Sequence, residues 1–273
     1  MKIGVIGGGT VGRATARAFV EHVDEVRVYD VVKERRTTDD LDSILETDLV
    51  FLCLPTPQKK DSLECNVEIV ENFVDAIPTS YRDNSIVLRS TVPIGTTRRL
   101  ADQYGLTGLV HSPEFLTARC AVTDAHLPSR NIIGYPIDKD RYVDLQYHPV
   151  HSLYERRYRG IPVYSMTSDE SEAVKLFTNG FFATKIGYFN EIYQLSQNLG
   201  LDWGRVMEGV LSDGRIAHSH TQVPGPDKKL GFGGICLPKD LASLKYQLLN
   251  NGCGLGVVDA VYEKNREWRA SDV

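Results

Sequence analysis

Two hydrophobic periods alternate along the first half of the chain. Lys2–Ile6 (KIGVI) is an apolar run short enough for a strand, and residues 10–22 follow it with Val11, Ala14, Ala18 and Phe19 on one helical side. Residues 25–30 (EVRVYD) alternate polar and apolar positions as a strand does. Residues 48–54 (DLVFLCL) are almost continuously apolar, the pattern of a strand covered on both faces. Further strands are predicted at 85–88, 109–111 and 131–135. Strands that alternate with helices imply a doubly wound, mostly parallel, Rossmann-like α/β sheet.

The pattern changes near residue 166. Residues 168–198 hold no proline and are rich in Ala, Leu, Phe, Glu and Lys, with Thr167 or Ser168 placed to cap the start. Such a helix would be about 45 Å long. Its apolar residues, among them Val174, Leu176, Phe177, Phe181, Phe182, Ile186, Phe189 and Ile192, fall nearly all round the axis, so it must be covered on several sides. Helical patterns return at 202–211, 239–249 and 255–269, and residues 212–235 form a long loop rich in Gly, Pro and polar residues. The expected organisation is a dinucleotide-binding domain over 1–166. An all-helical domain over 167–273, built on the long central helix, follows it.

Composition narrows the class. The 273 residues, 42% hydrophobic and 25% charged, suit a globular protein of two domains. A net charge of −5 argues against general binding to nucleic acid or to anionic membrane, so a phosphate-bearing ligand must be held by local groups. Cysteines at 53, 65, 120, 236 and 253 are odd in number and lack CxxC spacing. That fits neither a disulfide framework nor a zinc site and points to a reducing, cytoplasmic location, with no metal expected. The glycine-rich start reads as strand and turn rather than signal peptide, and no apolar run approaches the ~20 residues of a membrane span.

Two stretches carry chemistry. Gly7-Gly8-Gly9-Thr10-Val11-Gly12 matches GxGxxG between a strand and a helix, the context in which glycines let a backbone turn approach a pyrophosphate at a helix N-terminus. Asp30, 18 residues after Gly12, ends the second strand. A carboxylate there binds a ribose 2′-hydroxyl and favours NAD over NADP. Lys33, Arg35 and Arg36 oppose that preference only slightly. Residues 231–240 (GFGGICLPKD) set Cys236 between flexible glycines and Lys239. Only a thiolate attacks carbon, and a nearby ammonium favours it. A nicotinamide site and a reactive thiol in one chain suggest aldehyde oxidation through a thioester.

Read together, these motifs resemble the UDP-glucose/GDP-mannose dehydrogenase family of nucleotide-sugar dehydrogenases. The resemblance rests on GGGTVG at 7–12, PTP at 55–57, STVPIGTT at 90–97, SPEFL at 112–116 and SRNIIG at 129–134. It continues through EAVKLFTN at 172–179, NE at 190–191, GRI at 214–216 and GFGGICLPKD at 231–240. It implies a four-electron oxidation of a sugar primary alcohol to a carboxylate with two NAD, Cys236 forming a thiohemiacetal and then a thioester. An aldehyde carbon gives no second hydride until a heteroatom has added to it.

Further roles follow from the resemblance. Lys175 and Asn179, four residues apart, share a helix face and can donate hydrogen bonds to an oxygen gaining negative charge. Glu114 is a candidate base or water-orienting group, and Thr91 would hold a water near the nicotinamide. Asp240 either helps activate water or orient Lys175, or is simply a negative charge at a helix start. Cofactor contacts fall on Gly7, Gly9, Thr10, Val11, Gly12, Asp30, Arg35, Thr56, Thr91, Glu114 and Lys239. Substrate contacts fall on Glu114, Lys175, Asn179 and Gly233, with the stretch 110–114 and the loop 225–229. That loop, GPDKK, is more charged than the family's.

The chain departs from the resemblance in two further ways. The family's third domain, which completes the nucleotide site, is not expected within these 273 residues, so a separate polypeptide, a smaller substrate or the charged 225–229 loop is expected to take its place, and Cys120 stands where a glycine is usual. Two other functions compete. A two-domain β-hydroxyacid dehydrogenase shares the first domain, long helix and Lys-x-x-x-Asn pair but has no use for Cys236. A truncated, NAD-binding, non-catalytic paralogue would not need Lys175, Asn179 and Cys236 intact. Cover for the long helix, together with the resemblance, implies a homodimer.

Overall fold

The computed structural model describes residues 1–137 and 148–270. The chain divides into two compact units, one of Met1–Pro57 with Asn66–Lys175 and one of Gln58–Cys65 with Leu176–Val273.

In the first unit the strands are β1 (Lys2–Ile6), β2 (Glu25–Tyr29), β3 (Leu49–Leu52), β4 (Ile86–Leu88), β5 (Leu109–His111), β6 (Asn131–Tyr135) and β7 (Val163–Thr167). They form a single seven-stranded sheet in the order β2-β1-β3-β4-β5-β6-β7. The β5–β6 pair is antiparallel, and every other neighbouring pair is parallel. The helices are α1 (Thr10–Phe19), α2 (Asp42–Leu45), α3 (Glu68–Asp75), α4 (Thr96–Tyr104), α5 (Ala121–His126) and α6 (Pro149–Arg157). Cores lie on both faces, as a doubly wound sheet requires. One gathers Phe19, Phe51, Ile133, Tyr154 and Tyr158, and the other gathers Ile44, Leu52, Val74, Leu88 and Leu100. β3 is buried at all four positions, which explains why 48–54 reads as an unbroken apolar run.

α7 spans Ser168–Asn198 as predicted, and Thr167 caps it through a reciprocal pair of hydrogen bonds with Glu170. The chain passes from the first unit to the second within α7, between Lys175 and Leu176. In the second unit α7 is joined by α8 (Trp203–Leu211), α9 (Cys236–Asn250) and α10 (Val257–Trp268). Ala183, Phe232 and Leu241 form its small core, with Ile186, Val261 and Tyr262 packed against them. Residues 212–235 contain neither helix nor strand.

α9 begins three residues before the predicted start at 239. Pro238 sits in its first turn, where a missing N–H costs nothing, so the glycine- and proline-rich run that reads as loop continues into helix. Cys236 is therefore the first helical residue. Asp240 lies beyond the first turn and is buried, which removes its reading as a simple charge at the helix start.

Candidate active site

The glycine turn after β1 has the shape that a dinucleotide needs. Gly7 adopts φ +95°, a conformation that L side chains rarely take. A Cβ on Gly12 would lie 1.8 Å from the Gly7 carbonyl oxygen, so α1 can sit against the turn only without a side chain. Nothing lies within 4 Å of the corresponding position on Gly9, the N-cap, and no side chain caps α1. The amides of the first turn, at Thr10 and Val11, are left for an anionic ligand. Asp30 ends β2 and is buried, accepting the Gly8 amide on one carboxylate oxygen at 2.6 Å and the Val32 amide on the other at 2.7 Å. Each oxygen keeps a lone pair for a ribose hydroxyl. The Arg35 backbone lies against Gly8, which places it at the same turn. These residues fit a dinucleotide.

At the ends of β3 and β4 two loops are stitched together. Thr56 Oγ1 donates to the Thr91 carbonyl at 2.7 Å, and Ser90 Oγ donates to the Leu54 carbonyl at 2.7 Å. After β5, Glu114 and Lys175 form a buried pair. Lys175 Nζ donates to Glu114 Oε1 at 3.0 Å and to the Glu114 carbonyl at 2.6 Å, and the Leu116 amide donates to Oε2 at 2.6 Å. Burial opposes the charge on Glu114, but the Lys175 ammonium and the Leu116 amide outweigh it and hold the carboxyl below its ordinary range. One helical turn before Lys175 comes Glu172, to which the sequence assigned no role. Its carboxylate accepts the Gly95 amide, the Thr97 amide and the Thr97 hydroxyl, tying α7 to the start of α4 within the STVPIGTT stretch.

The second unit gathers the remaining candidates. Asn179 Nδ2 donates to Asp240 Oδ2 at 2.6 Å, and Lys239 Nζ donates to Asp240 Oδ1 at 2.5 Å, with all three residues on α7 or the first turns of α9. Burial works against the charge of Lys239. Asp240 outweighs it, with Cys65 and Cys236 adding, and the ammonium stays above the ordinary lysine range. Cys236 is exposed at the first position of α9, where helix dipoles favour negative charge.

Two buried asparagines that sequence reasoning gave no role hold the backbone at Gly231 and Phe232. Asn190 Oδ1 accepts the Gly231 amide at 2.8 Å. Asn265 accepts the Phe232 amide at 2.7 Å and donates back to the Phe232 carbonyl at 3.0 Å. Gly233 lies against Arg269, which also ion-pairs with Asp227 of the GPDKK loop at 2.5 Å. A polar amide in the apolar surroundings of α7 was the available signal for Asn190.

Residues 32–156 match the NAD binding domain of the UDP-glucose/GDP-mannose dehydrogenase family, and residues 169–267 match its central domain. The chain belongs to the UDP-glucose/GDP-mannose dehydrogenase family. As a member of that family it carries an NAD-binding domain. The chain is similar to the UDP-glucose 6-dehydrogenase of Campylobacter jejuni, 27% identical over 245 residues that make up 89% of this chain and 59% of that protein. It is also similar to the GDP-mannose 6-dehydrogenase of Pseudomonas savastanoi pv. phaseolicola, 34% identical over 79% of this chain and 50% of that protein. A solved structure, the UDP-glucose dehydrogenase of the hyperthermophilic archaeon Pyrobaculum islandicum, superposes with a TM-score of 0.79 at 27% identity. That match covers 97% of this chain and 68% of the other. This family member thus spans between a half and about two thirds of the length of these relatives.

Proposed function

We propose that the chain oxidises the primary alcohol of a nucleotide sugar to a carboxylate, with Cys236 carrying the covalent intermediate. One observation carries this reading. Cys236 opens α9 as an exposed thiol, and Lys239 and Asp240 follow it within two turns, the latter bonded to Asn179 at 2.6 Å. A single alcohol–ketone exchange needs no such thiol.

When held at the Gly7–Gly12 turn, NAD would supply the hydride acceptor, one molecule for each of the two oxidations. In the first, the alcohol carbon gives up a hydride and the hydroxyl a proton, which Glu114 takes through a water held at Thr91. Its depressed pKa keeps Glu114 ionised at neutral pH. The Cys236 thiolate then adds to the aldehyde carbon, and the carbonyl oxygen becomes an oxyanion that Lys175 and Asn179 stabilise by donation. Loss of the second hydride leaves a thioester on Cys236. Water, oriented by Asp240, attacks the thioester carbon, and the C–S bond breaks to give the carboxylate and the free thiol.

Relatives named for UDP-glucose and GDP-mannose support this substrate class, and the exposed apolar face of α7 supports a homodimer. A cytoplasmic site agrees with five cysteines joined by no disulfide, and no described helix is long and apolar enough to cross a membrane. The test is Cys236→Ser incubated with NAD and UDP-glucose or GDP-mannose, with a carbonyl-trapping reagent present. Trapped aldehyde, with carboxylate formation down at least ~10³-fold, is expected. Carboxylate formation at the wild-type rate would sink the proposal.

A further inference from the structure

A cavity of about 340 Å³ opens in the first unit where α1 meets the segment that leads into α5. Thr10, Arg13 and Arg17 of α1 line it, together with Arg119 and Cys120 from the other side. Positions i, i+3 and i+7 of a helix fall within roughly 60° of one another, so Thr10, Arg13 and Arg17 make one exposed face. Ala14 and Ala18, beside that face, share a core with Ala121 and Ala125 of α5, and this packing brings Arg119 to the same cavity.

Three guanidiniums thus line one cavity, and no carboxylate does. Among the described residues none of the three forms an ion pair, whereas Arg27, Arg36, Arg98 and Arg99 each hold a carboxylate. The acidic side chains nearest in the chain are engaged or lie elsewhere. Glu114 is paired with Lys175, Asp124 of α5 accepts the Thr117 amide at 2.7 Å, and Glu21 lies beyond the C-terminal end of α1. Arg13 stands one turn from the N-terminus of α1, whose first turn holds no acidic residue. The helix dipole disfavours a cation near that end, so local structure supplies no reason for the charge. A guanidinium keeps its proton at any working pH, and the positive potential is permanent.

The surroundings make this local potential matter. The chain carries a net charge of −5 and as a whole repels an anion such as the pyrophosphate of NAD. A cleft lined by one sign of charge reverses that repulsion locally and raises association rates by about 10- to 1,000-fold. Thr10 joins the cavity to the glycine turn, because it lines the one and opens the helix that follows the other.

We propose that Arg13, Arg17 and Arg119 form a cationic entry that captures the pyrophosphate of NAD and speeds its arrival at the glycine turn. This role depends on NAD as the cofactor and not on the chemistry at Cys236. The three side chains act by charge during the approach, so they set the association rate and not the hold on the bound cofactor.

The test is stopped-flow mixing of the full chain with NADH, followed by nucleotide fluorescence. Ionic strength is varied from ~0.01 M to ~1 M, over which the screening length falls from about 30 Å to about 3 Å. Wild-type association is expected to slow as salt rises. The combined variant Arg13→Gln, Arg17→Gln, Arg119→Gln should associate about tenfold more slowly at low salt, with a flatter salt dependence and the dissociation rate nearly unchanged. Arg13→Gln alone, expected to show part of that loss, serves should the combined variant not fold. Arg13→Lys, Arg17→Lys, Arg119→Lys keeps the charges and should keep the wild-type rate. Arg205→Gln, Arg215→Gln, Arg266→Gln removes three exposed arginines of the second unit, with the same change in net charge, and should leave association as in wild type. Wild-type association and salt dependence in the folded glutamine variants would overturn the proposal. So would a loss confined to the dissociation rate, slow association in the lysine variant, or equal slowing in the second-unit variant. An absence of NADH binding by wild type would remove the cofactor itself, and this entry with it.

Discussion

Lys175 shows how much a single residue reveals and conceals. Its spacing from Asn179 on one helix face is legible in the sequence, and so is the carboxylate of Glu114 after a strand. That Glu114 holds Lys175 through both side chain and backbone is not, because the two are 61 residues apart in the chain. The same holds for Glu172 and Asn265, whose task is to satisfy backbone amides of distant turns. Such work leaves no periodic or compositional trace. A second residue-scale consequence concerns His111, which is buried and held near pKa 3 instead of 6.5. Between those values the unfolded chain binds a proton that the folded chain refuses, so stability falls as pH drops from 6.5 toward 3. Urea midpoints of wild type and His111→Gln, compared at pH 7.5 and pH 5, are expected to show a smaller pH loss in the variant. Equal losses would mean that His111 titrates normally.

At the scale of elements, the strands with the plainest patterns are legible because their environments differ. β3 is buried on both faces and reads as a solid apolar run, whereas β2 is largely half-buried and reads as an alternation. β7 is only partly covered, and its pattern in Val163–Thr167 is too weak to stand out. α6 opens with Pro149 after the capping His148, a start that reads locally as turn. The glycine turn is legible in kind, and its geometry makes a quantitative demand. Gly12→Ala puts a Cβ where the Gly7 carbonyl oxygen stands, so the turn must distort or α1 must move. The expected cost is about 2 kcal/mol or more of stability, read by denaturant melts, with weakened NAD binding in a titration. A variant that binds NAD as wild type does would show that the turn does not need this close approach.

The whole molecule poses a problem of cover. The periodicity of 168–198 implies a helix buried on several sides, yet Phe177, Phe181, Tyr188 and Leu195 are each more than half exposed. At about 100° per residue their spacing keeps them within roughly 40° of one another, a straight apolar stripe about 27 Å long. Contiguous apolar surface of this kind marks an interaction site, and a second copy of the chain is the occupant proposed here. Phe181→Glu should convert a dimer to a monomer in analytical ultracentrifugation, and wild-type protein sedimenting as a monomer would remove the premise.

The account rests on Cys236 joining two oxidations into one reaction, and the most direct measurement counts electrons. NADH formed per nucleotide sugar consumed, followed to completion with UDP-glucose or GDP-mannose, is predicted to be two. A ratio of one, with the ketone or aldehyde as final product, would contradict the thioester route.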